Sequence, residues 1–481
     1  MSSDGEVTVA LPRSPAARPL LDRMVPPPGR VGPLTIAFLA LALGVLWLSV
    51  GPGAASSGSR PGDEPWVSFV GQLIGAEALF AMSVALVLIS TLTWVETWFD
   101  GIDRAAIWHR RLALTGMLLL APHMLLSSNH RAGQWSSLLA NLAVYGLLAL
   151  VVWAVLPRWR ALLPTALRAP VADLEARASR IRWAAATLDL ARLILGRYER
   201  WRAFHRLTGL FVAAGFAHGL LAATAFGSVG LEWTYIAIGG IGLGFYVYRE
   251  TLAGRYLPLH DYQVAGVTVV SRDLTELTLT PLGPPMRFVP GQFAMVYLEG
   301  KDGWHRHPFT MAGAAHGRAL TFTIKGLGDH TRDINHTVQV GMPAVVSGPH
   351  GRFQHRRGTR DQVWIAGGVG VTPFLSWLRS LSHEPLRARV QFFYTHAGPA
   401  PYAEQITAIA RANPNITVHV IDSAAEGHLL ASRVLKTVRV DPRLLSVFLC
   451  GPTPMVNTLT RDLRQAGVSA RNLHREHFDW R

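Results

Sequence analysis

The sequence has one cysteine, few acidic residues and little charge of either sign. The lone thiol, Cys450, excludes an internal disulfide, a four-cysteine iron–sulfur cluster and a zinc site built from cysteine. Any bound metal is therefore expected to use histidine, of which the chain has 19. The sequence also lacks a repeat of fixed period and a calcium-binding loop, so it predicts neither a repeat array nor a calcium switch.

Charged residues make up only 16% of the chain and hydrophobic residues 49%, which is too apolar for an ordinary soluble protein. The apolar residues are concentrated in six runs of the first half, each approaching the length of one bilayer crossing. These predicted spans are 33–50, 70–92, 111–127, 138–156, 204–225 and 231–248. The third is interrupted by Arg111, Pro122 and histidine, and polar groups within a span usually face a bundle or a cofactor.

The net charge is +15, and the arginines that produce it lie near the ends of these spans rather than on one soluble face. This distribution argues against a nucleic-acid partner. The segment 158–206 holds eleven arginines, whereas the loops 51–65 and 128–136 hold one each. This asymmetry predicts an integral membrane protein with both termini in the cytoplasm. Residues 1–30 are proline-rich and predict a disordered cytoplasmic leader rather than a signal peptide.

Four histidines are paired by depth in two predicted spans. His109 and His123 are fourteen residues apart, which places them within about 40° of one helix face and roughly 21 Å apart. His205 and His218 are thirteen residues apart in the fifth span. Pairing His109 with His205 and His123 with His218 predicts two haems with two imidazole ligands each. The alternatives are core histidines, a proton relay or another histidine metal site.

The thirteen-residue interval needs a distortion of the fifth span. An ideal helix would place His205 and His218 about 140° apart. Tilt, bending or overwinding near Gly209 or Gly215 is therefore expected.

After residue 248 the pattern changes to short alternating strands, which predict a small antiparallel β-barrel. The predicted strands are 263–270, 274–281, 293–298 and 320–324. Turn and strand-end motifs that suit a flavin follow in order: Pro290 to Phe293, His307 to Thr310, Lys325 to Thr331 and Gly348 to Gly351.

The last 120 residues have an α/β pattern. A strand at 363–366 runs into the glycine-rich turn Gly367 to Pro373 and a helix at 374–381, an arrangement that suits a dinucleotide phosphate but also any tight strand-to-helix turn. Further strands are predicted at 390–394, 417–421 and 446–449. Cys450 follows the last strand and would face the nicotinamide, or else would fill the core as a small apolar side chain.

These motifs carry a family resemblance over residues 33–481. The paired membrane histidines resemble the transmembrane domain of ferric reductases and NADPH oxidases, and the remainder resembles the ferredoxin-NADP reductase fold. The resemblance implies a six-helix all-α transmembrane bundle at 31–252, an antiparallel β-barrel FAD domain at 258–358 and an α/β NAD(P)-binding domain at 359–481.

The resemblance also implies roles for individual residues. FAD would be held by His307, Pro308, Phe309, Thr310, Lys325, Gly328 and Thr331. NADPH or NADH would meet Gly367, Gly368, Gly370, Thr372, Pro373, Cys450, Gly451 and Pro452. Phe478 resembles the terminal aromatic that covers the flavin, with Trp480 as a weaker alternative. The segment 394–398 lacks the arginine that binds the 2′-phosphate in many NADPH-preferring relatives, so NADH is expected to serve at least comparably unless an arginine elsewhere, such as Arg433, replaces it.

The expected activity is electron transfer from cytosolic NAD(P)H through FAD and two b-type haems to an acceptor on the outer face. Oxygen, giving superoxide, is the favoured acceptor. A ferric or cupric chelate, a quinone and a partner protein stay open as alternatives. A haem-free membrane sensor or channel is the non-enzymatic alternative.

Overall fold

The computed structural model describes residues 31–50, 65–90, 92–127, 133–155, 170, 198–222, 228–253, 259–300, 303–327, 329–332, 334–383 and 385–476. Several predictions lie outside the described residues: the leader 1–30, most of the basic segment 158–206, Gly328, Phe478 and Trp480.

Helices form the part of the chain that precedes the strands. In order they are α1 Val31–Val50, α2 Pro65–Leu88, α3 Thr93–Phe99, α4 Ile102–Leu126, α5 Gln134–Val155, α6 Tyr198–His205, α7 Thr208–Leu221 and α8 Val229–Val247. A short π-helical turn, Tyr248–Leu252, extends α8. The central helix is α2. Of its apolar stretch 56% is buried inside the protein, compared with 17% for α1 and for α5. It packs against α4 and α8, while α7 packs against α5.

Within the described ranges, three helices are long and apolar enough to cross a membrane. They are Val31–Val50, Trp66–Leu88 and Gln134–Ala154, with mean hydropathies of 2.2, 1.8 and 2.0. Helices also occupy the other three predicted spans, but they do not meet the same criteria. The α7 helix has only 14 residues, and α4 carries Arg104, Arg110 and Arg111 along its 25 residues. Three of the six predicted spans thus have the length and composition of a crossing.

The fifth predicted span is broken rather than smoothly bent. The α6 helix ends at His205 and α7 begins at Thr208, with a turn at Arg206 and Leu207 between them. The Thr208 hydroxyl donates to the His205 carbonyl at 2.5 Å. The predicted distortion therefore exists, but it lies before Gly209 because the Thr208 side chain satisfies the carbonyl left free where α6 ends.

A six-stranded antiparallel sheet follows, in the order β4-β3-β6-β1-β2-β5. Its strands are β1 Leu259–Ser271, β2 Leu274–Pro281, β3 Phe293–Gly300, β4 Gly303–Thr310, β5 Leu320–Lys325 and β6 Pro343–His350. Two short helices, α9 Asp329–Arg332 and α10 Ile334–Thr337, lie between β5 and β6. A single bridge between Met311 and Phe322 joins the two edges, which gives the barrel. The predicted antiparallel sheet is confirmed.

Strands β4 and β6 were not predicted. The β4 sequence mixes glycine, tryptophan and three basic or histidine residues, so it has no clean alternation. Its pairing with β3 along the whole of its length holds it in the sheet. The predicted strands are those that alternate, such as β2, where Leu277 and Leu279 point into the barrel core.

The last part is a five-stranded parallel sheet in the order β11-β10-β7-β8-β9. Its strands are β7 Asp361–Gly367, β8 Arg389–His396, β9 Ile416–Asp422, β10 Leu445–Cys450 and β11 Leu473–Glu476. The helices of this part are α11 Thr372–Arg379, α12 Ala403–Arg411, α13 Ala431–Val438 and α14 Thr453–Gln465. The short, polar β11 was not predicted. Because β7 and β10 are parallel neighbours, the loops that follow them meet at one sheet edge.

Candidate cofactor site

A cavity of about 520 Å³ lies where the barrel, the parallel sheet and the turn between α3 and α4 meet. Most of the predicted cofactor residues line it. They are His307, Pro308, Phe309, Thr310, Lys325, Thr331, Gly367, Gly368, Thr372, Gly451 and Pro452. The flavin and nucleotide motifs, separated by up to about 140 residues in the sequence, therefore share one cavity.

The barrel wall of this cavity comes from the end of β4. Phe309 stacks with His307 at a ring distance of 6.0 Å. Thr310 is only 5% exposed, and its Oγ1 has no hydrogen-bond partner among the described residues. A buried hydroxyl without a partner is costly, so a polar ligand group in the cavity would complete its hydrogen bonding. An aromatic ring beside such a hydroxyl suits an isoalloxazine.

The opposite wall is formed by backbone. A Cβ on Gly370 would lie 2.4 Å from the Cys450 carbonyl oxygen, and one on Gly367 would lie 2.8 Å from Met455. Only glycine therefore lets the loops after β7 and β10 approach each other this closely. Gly368 and Gly451 have positive φ values of 53° and 156°. The resulting fissure exposes main-chain groups, as a dinucleotide phosphate requires.

Three predicted nucleotide residues do not line the cavity: Gly370, Pro373 and Cys450. Cys450 is fully buried in the hydrophobic core, so the structure places its side chain in the alternative apolar role rather than at the nicotinamide. Burial also raises the pKa of the Cys450 thiol, which keeps it protonated. Gly370 instead allows the loop after β7 to lie against the backbone of Cys450. Pro373 lies in the buried first turn of α11.

The cavity also has charged residues that no motif indicated: Asp100, Arg104, Arg352, Arg357, His474, Arg475 and Glu476. With Lys325, the lining has five lysines and arginines against two acids, a balance that favours an anionic cofactor. No periodicity or spacing in the sequence could have found this group, since its members come from three distant segments.

The four histidines that were predicted as metal ligands form the two predicted pairs. The ring centroids of His109 and His205 are 6.2 Å apart, and those of His123 and His218 are 6.5 Å apart. Two imidazoles on opposite sides of one metal ion, each with a metal–nitrogen distance of about 2 Å, would have centroids roughly 6 Å apart. Groups of three or more potential metal ligands are not found among the described residues, so each pair stands alone.

Hydrogen bonds orient three of these rings for metal binding. The Nδ1 atoms of His109, His123 and His218 lie 2.8, 2.8 and 3.0 Å from the carbonyl oxygens of Ala85, Gly71 and Ser136. Because a carbonyl oxygen only accepts, each Nδ1 carries the proton and donates it, which leaves Nε2 with a free lone pair. This is the usual second contact of a metal-binding histidine.

A second cavity, of about 360 Å³, adjoins one pair. His123 and His218 both line it, together with mainly apolar residues of α2, α5 and α7. Gly75 and Gly215 are among these lining residues. The pair thus faces an apolar space between helices, as a haem requires.

Residues 260–366 match a family model described as an FAD-binding domain. The anthranilate 1,2-dioxygenase electron transfer component of Acinetobacter baylyi is 27% identical over 226 residues, covering 45% of this chain and 66% of that protein. A flavohemoprotein of Oceanobacillus iheyensis is 24% identical over 254 residues, covering 48% of this chain and 61% of that protein. The solved FAD/NAD-binding domain of a Vibrio cholerae nitric oxide dioxygenase shares 21% identity, covering 45% of this chain and 97% of that chain, with a TM-score of 0.41.

These matches confirm two predictions, that the chain contains an FAD-binding module and that it is an oxidoreductase. The chain spans about two thirds or less of the length of these two relatives.

Proposed function

We propose that the chain is a transmembrane oxidoreductase that moves electrons from NAD(P)H through FAD and two b-type haems to an acceptor on the opposite membrane face. The observation that carries this proposal is the pairing of four histidines at the spacing of two imidazoles on one metal. The proposed parts are a membrane domain at 31–252, an FAD domain at 258–358 and an NAD(P) domain at 359–481.

The residues present fit the implied groups. His109 with His205, and His123 with His218, would hold the two haems through Nε2. Phe309, Thr310 and the basic lining of the larger cavity would hold FAD, and the glycine loops after β7 and β10 would hold the nucleotide. When bound, FAD accepts a hydride and the haems carry single electrons. The protein positions these groups and keeps water from the apolar histidine cavity.

The membrane location rests on composition. Three helices have the hydropathy of a crossing, and arginines are concentrated in the segment 158–206. The proposed orientation therefore places the reductase part and both termini in the cytoplasm, in a bacterial-type inner membrane.

Oxygen is the proposed acceptor, with superoxide as the product, because both iron positions would be filled by histidine and only outer-edge electron transfer is left. Electron delivery to a partner protein is the second candidate, favoured by relatives that are themselves electron transfer components. Measuring NADH oxidation in detergent with oxygen, a ferric chelate or a quinone, with and without superoxide dismutase, distinguishes these acceptors.

The test of the haem sites is the absorbance spectrum of the purified protein. Two six-coordinate low-spin b haems are expected, and His218→Ala should remove one of them while leaving the other. His428→Ala, at an exposed histidine of the nucleotide domain, is the matched control. A protein without haem absorbance, or a His218→Ala spectrum identical to that of the parent, would refute the assignment.

A further inference from the structure

The short segment between α2 and α4 contacts the FAD domain directly. We call residues 93–102, which comprise α3, the turn Asp100–Gly101 and the first residue of α4, the docking segment. Its polar contacts connect residues 255 and 257 positions apart in the chain. Glu96 Oε1 accepts a hydrogen bond from the Gly351 amide at 2.6 Å. Asp100 Oδ1 accepts one from Arg357 Nη1, also at 2.6 Å.

Asp100 is the most enclosed charge of this contact. Its side chain is 8% exposed and lies near three guanidinium groups: Arg357, Arg104 at 3.1 Å and Arg352 at 3.9 Å. A carboxylate buried to this extent is stable only with such partners, because burial of an unpaired charge is strongly unfavourable. The ion pairs with Arg352 and Arg357 of the FAD domain therefore stabilise the buried Asp100 carboxylate, and they also attach the FAD domain to the docking segment.

The backbone of the docking segment is shaped to present this carboxylate. Asp100 ends α3 in the left-handed region at φ 60°, and Gly101 follows at φ 132°. The Gly101 amide donates to the Glu96 carbonyl at 2.9 Å, which closes the helix end. Aspartate is one of the few residues with a side chain that tolerates this conformation.

An apolar contact links the docking segment to a cofactor wall. Ile102 packs in a buried cluster with Phe293 and Met295 of β3, and Phe293 lines the larger cavity. Ile102 is also the first residue of α4, which carries His109 two turns later, about 10 Å along the axis. One rigid helix thus connects the flavin-binding cavity to the nearer histidine pair.

We propose that the docking segment sets the separation between the flavin cavity and the His109–His205 pair, and that Asp100 is its main positioning residue. This inference rests on the proposed function, in which both sites carry cofactors. Breaking the Asp100 contact loosens the FAD domain from α4. Asp100 and Arg357 also line the larger cavity, so the FAD content of each variant is measured and its kinetics are compared per bound FAD.

The experiment uses the full chain with its cofactors in detergent, mixed anaerobically with NADH in a stopped-flow instrument. Flavin bleaching and haem reduction are followed separately in Asp100→Asn, Arg357→Gln and the double variant. Arg389→Gln is the matched control, since it removes an exposed arginine paired with Asp361 where β7 and β8 begin, away from the cavity.

Per bound FAD, haem reduction and kcat are expected to fall about tenfold or more in Asp100→Asn, since small misplacements of reacting groups are that costly. Flavin bleaching is expected to fall far less, because the hydride step does not depend on the distance between the flavin and α4. The rate of haem reduction in the double variant should be no lower than in the slower single variant, because the two substitutions remove the same contact between Asp100 and Arg357. The control should match the parent in both phases.

Amide hydrogen exchange gives a readout that does not depend on turnover. Exchange at residues 348–353 should accelerate in Glu96→Ala and Asp100→Asn but not in Arg389→Gln. Parental haem reduction or parental exchange in Asp100→Asn overturns the inference. So does a fall in flavin bleaching, per bound FAD, as large as the fall in haem reduction, which would assign the effect of Asp100 to the reductase part itself. If the parent protein shows no haem reduction by NADH, the proposed function fails instead.

Discussion

Two kinds of histidine surroundings matter most in the described part of the chain. Three of the four paired histidines donate through Nδ1 to a backbone carbonyl, and the ring centroids of the two pairs are 6.2 and 6.5 Å apart. In the reductase part, His355 instead packs against Trp364 and Trp377. In the proposed function, the same side chain serves as a metal ligand at one place and as a buried neutral ring at another.

Burial of His355 predicts a pH dependence of stability. Burial, with a smaller contribution from Arg356, lowers the pKa of His355 to about 4, below its ordinary value of 6.5. Between these values the unfolded chain binds a proton that the folded chain does not, so stability falls as pH falls from 6.5 to 4. The loss from this residue is about 3 kcal/mol.

Thermal unfolding of the reductase part, followed by tryptophan fluorescence across this pH range, measures that loss. His355→Phe keeps an aromatic ring and should flatten the pH slope, whereas His428→Phe, at an exposed site, should not. Equal slopes in the parent and His355→Phe would show that His355 does not contribute.

Single residues near the segment 394–398 also bear on the expected nucleotide preference. Arg433 is paired with Glu426 at 3.0 Å, and Asp422 accepts hydrogen bonds from the Gly398 and Ala424 amides. Those bonds, the one from Gly398 first, lower the pKa of Asp422, so an anion lies beside the segment 394–398. A 2′-phosphate bound there would be repelled by Asp422. Arg433 would not offset that repulsion, because its guanidinium is paired with Glu426.

We therefore expect NADH to have a kcat/KM at least comparable with that of NADPH. Asp422→Asn should shift the ratio towards NADPH, and Asp462→Asn on α14 should leave it unchanged. A preference of the parent for NADPH of about a hundredfold would contradict the prediction, since an arginine–phosphate contact is then required.

At the scale of elements, α2 is shaped around the helix that carries His123. The Gly71 carbonyl accepts the His123 hydrogen bond. A Cβ on Gly75 would lie 2.6 Å from His123 Nδ1, and one on Gly71 would lie 2.6 Å from Ser127 Oγ. The two glycines therefore form a groove that fits α4, and the groove holds the imidazole in place.

Gly75→Ala is expected to displace the His123 ring and to weaken the haem of the His123–His218 pair, leaving the other haem unchanged. Gly240→Ala on α8 is the control, because a Cβ there meets no atom within 4 Å. Haem content and the absorbance spectrum of both variants test this. Full retention of both haems in Gly75→Ala would mean that the helices separate without affecting the histidine.

At the scale of the whole molecule, one helix connects the larger cavity with the two histidine pairs. The larger cavity lies between the two reductase sheets and reaches the turn at Asp100. The α4 helix continues from that turn past His109 to His123. The path from the larger cavity to the His123–His218 pair therefore runs along one helix, which supports the proposed electron transfer across a membrane.

This arrangement predicts sidedness. In inverted membrane vesicles, NADH added outside should reduce the haems at once, because the cytoplasmic face is exposed. In right-side-out vesicles, NADH should act only after the membrane is permeabilised. Haem reduction by external NADH in intact right-side-out vesicles would reverse the proposed orientation.

The sequence determined the features that depend on residues close together in the chain. The apolar runs, the alternation within β1, β2, β3 and β5 and the glycine turns after β7 and β10 are local patterns, because helices and strands repeat every few residues. The depth of His109 and His123 on one helix face follows from the same periodicity. The pairing of each with a histidine of the next chain segment was predicted from matching depth.

Only the tertiary structure decided the contacts between distant segments. Four of these features have no periodic signal in the sequence: the break at Arg206 and Leu207, the burial of Cys450, the short strand β11 and the pairing of Asp100 with Arg357. Each depends on which surfaces meet when the helices and sheets pack, and that is set by the shape and burial of the assembled parts rather than by neighbouring residues.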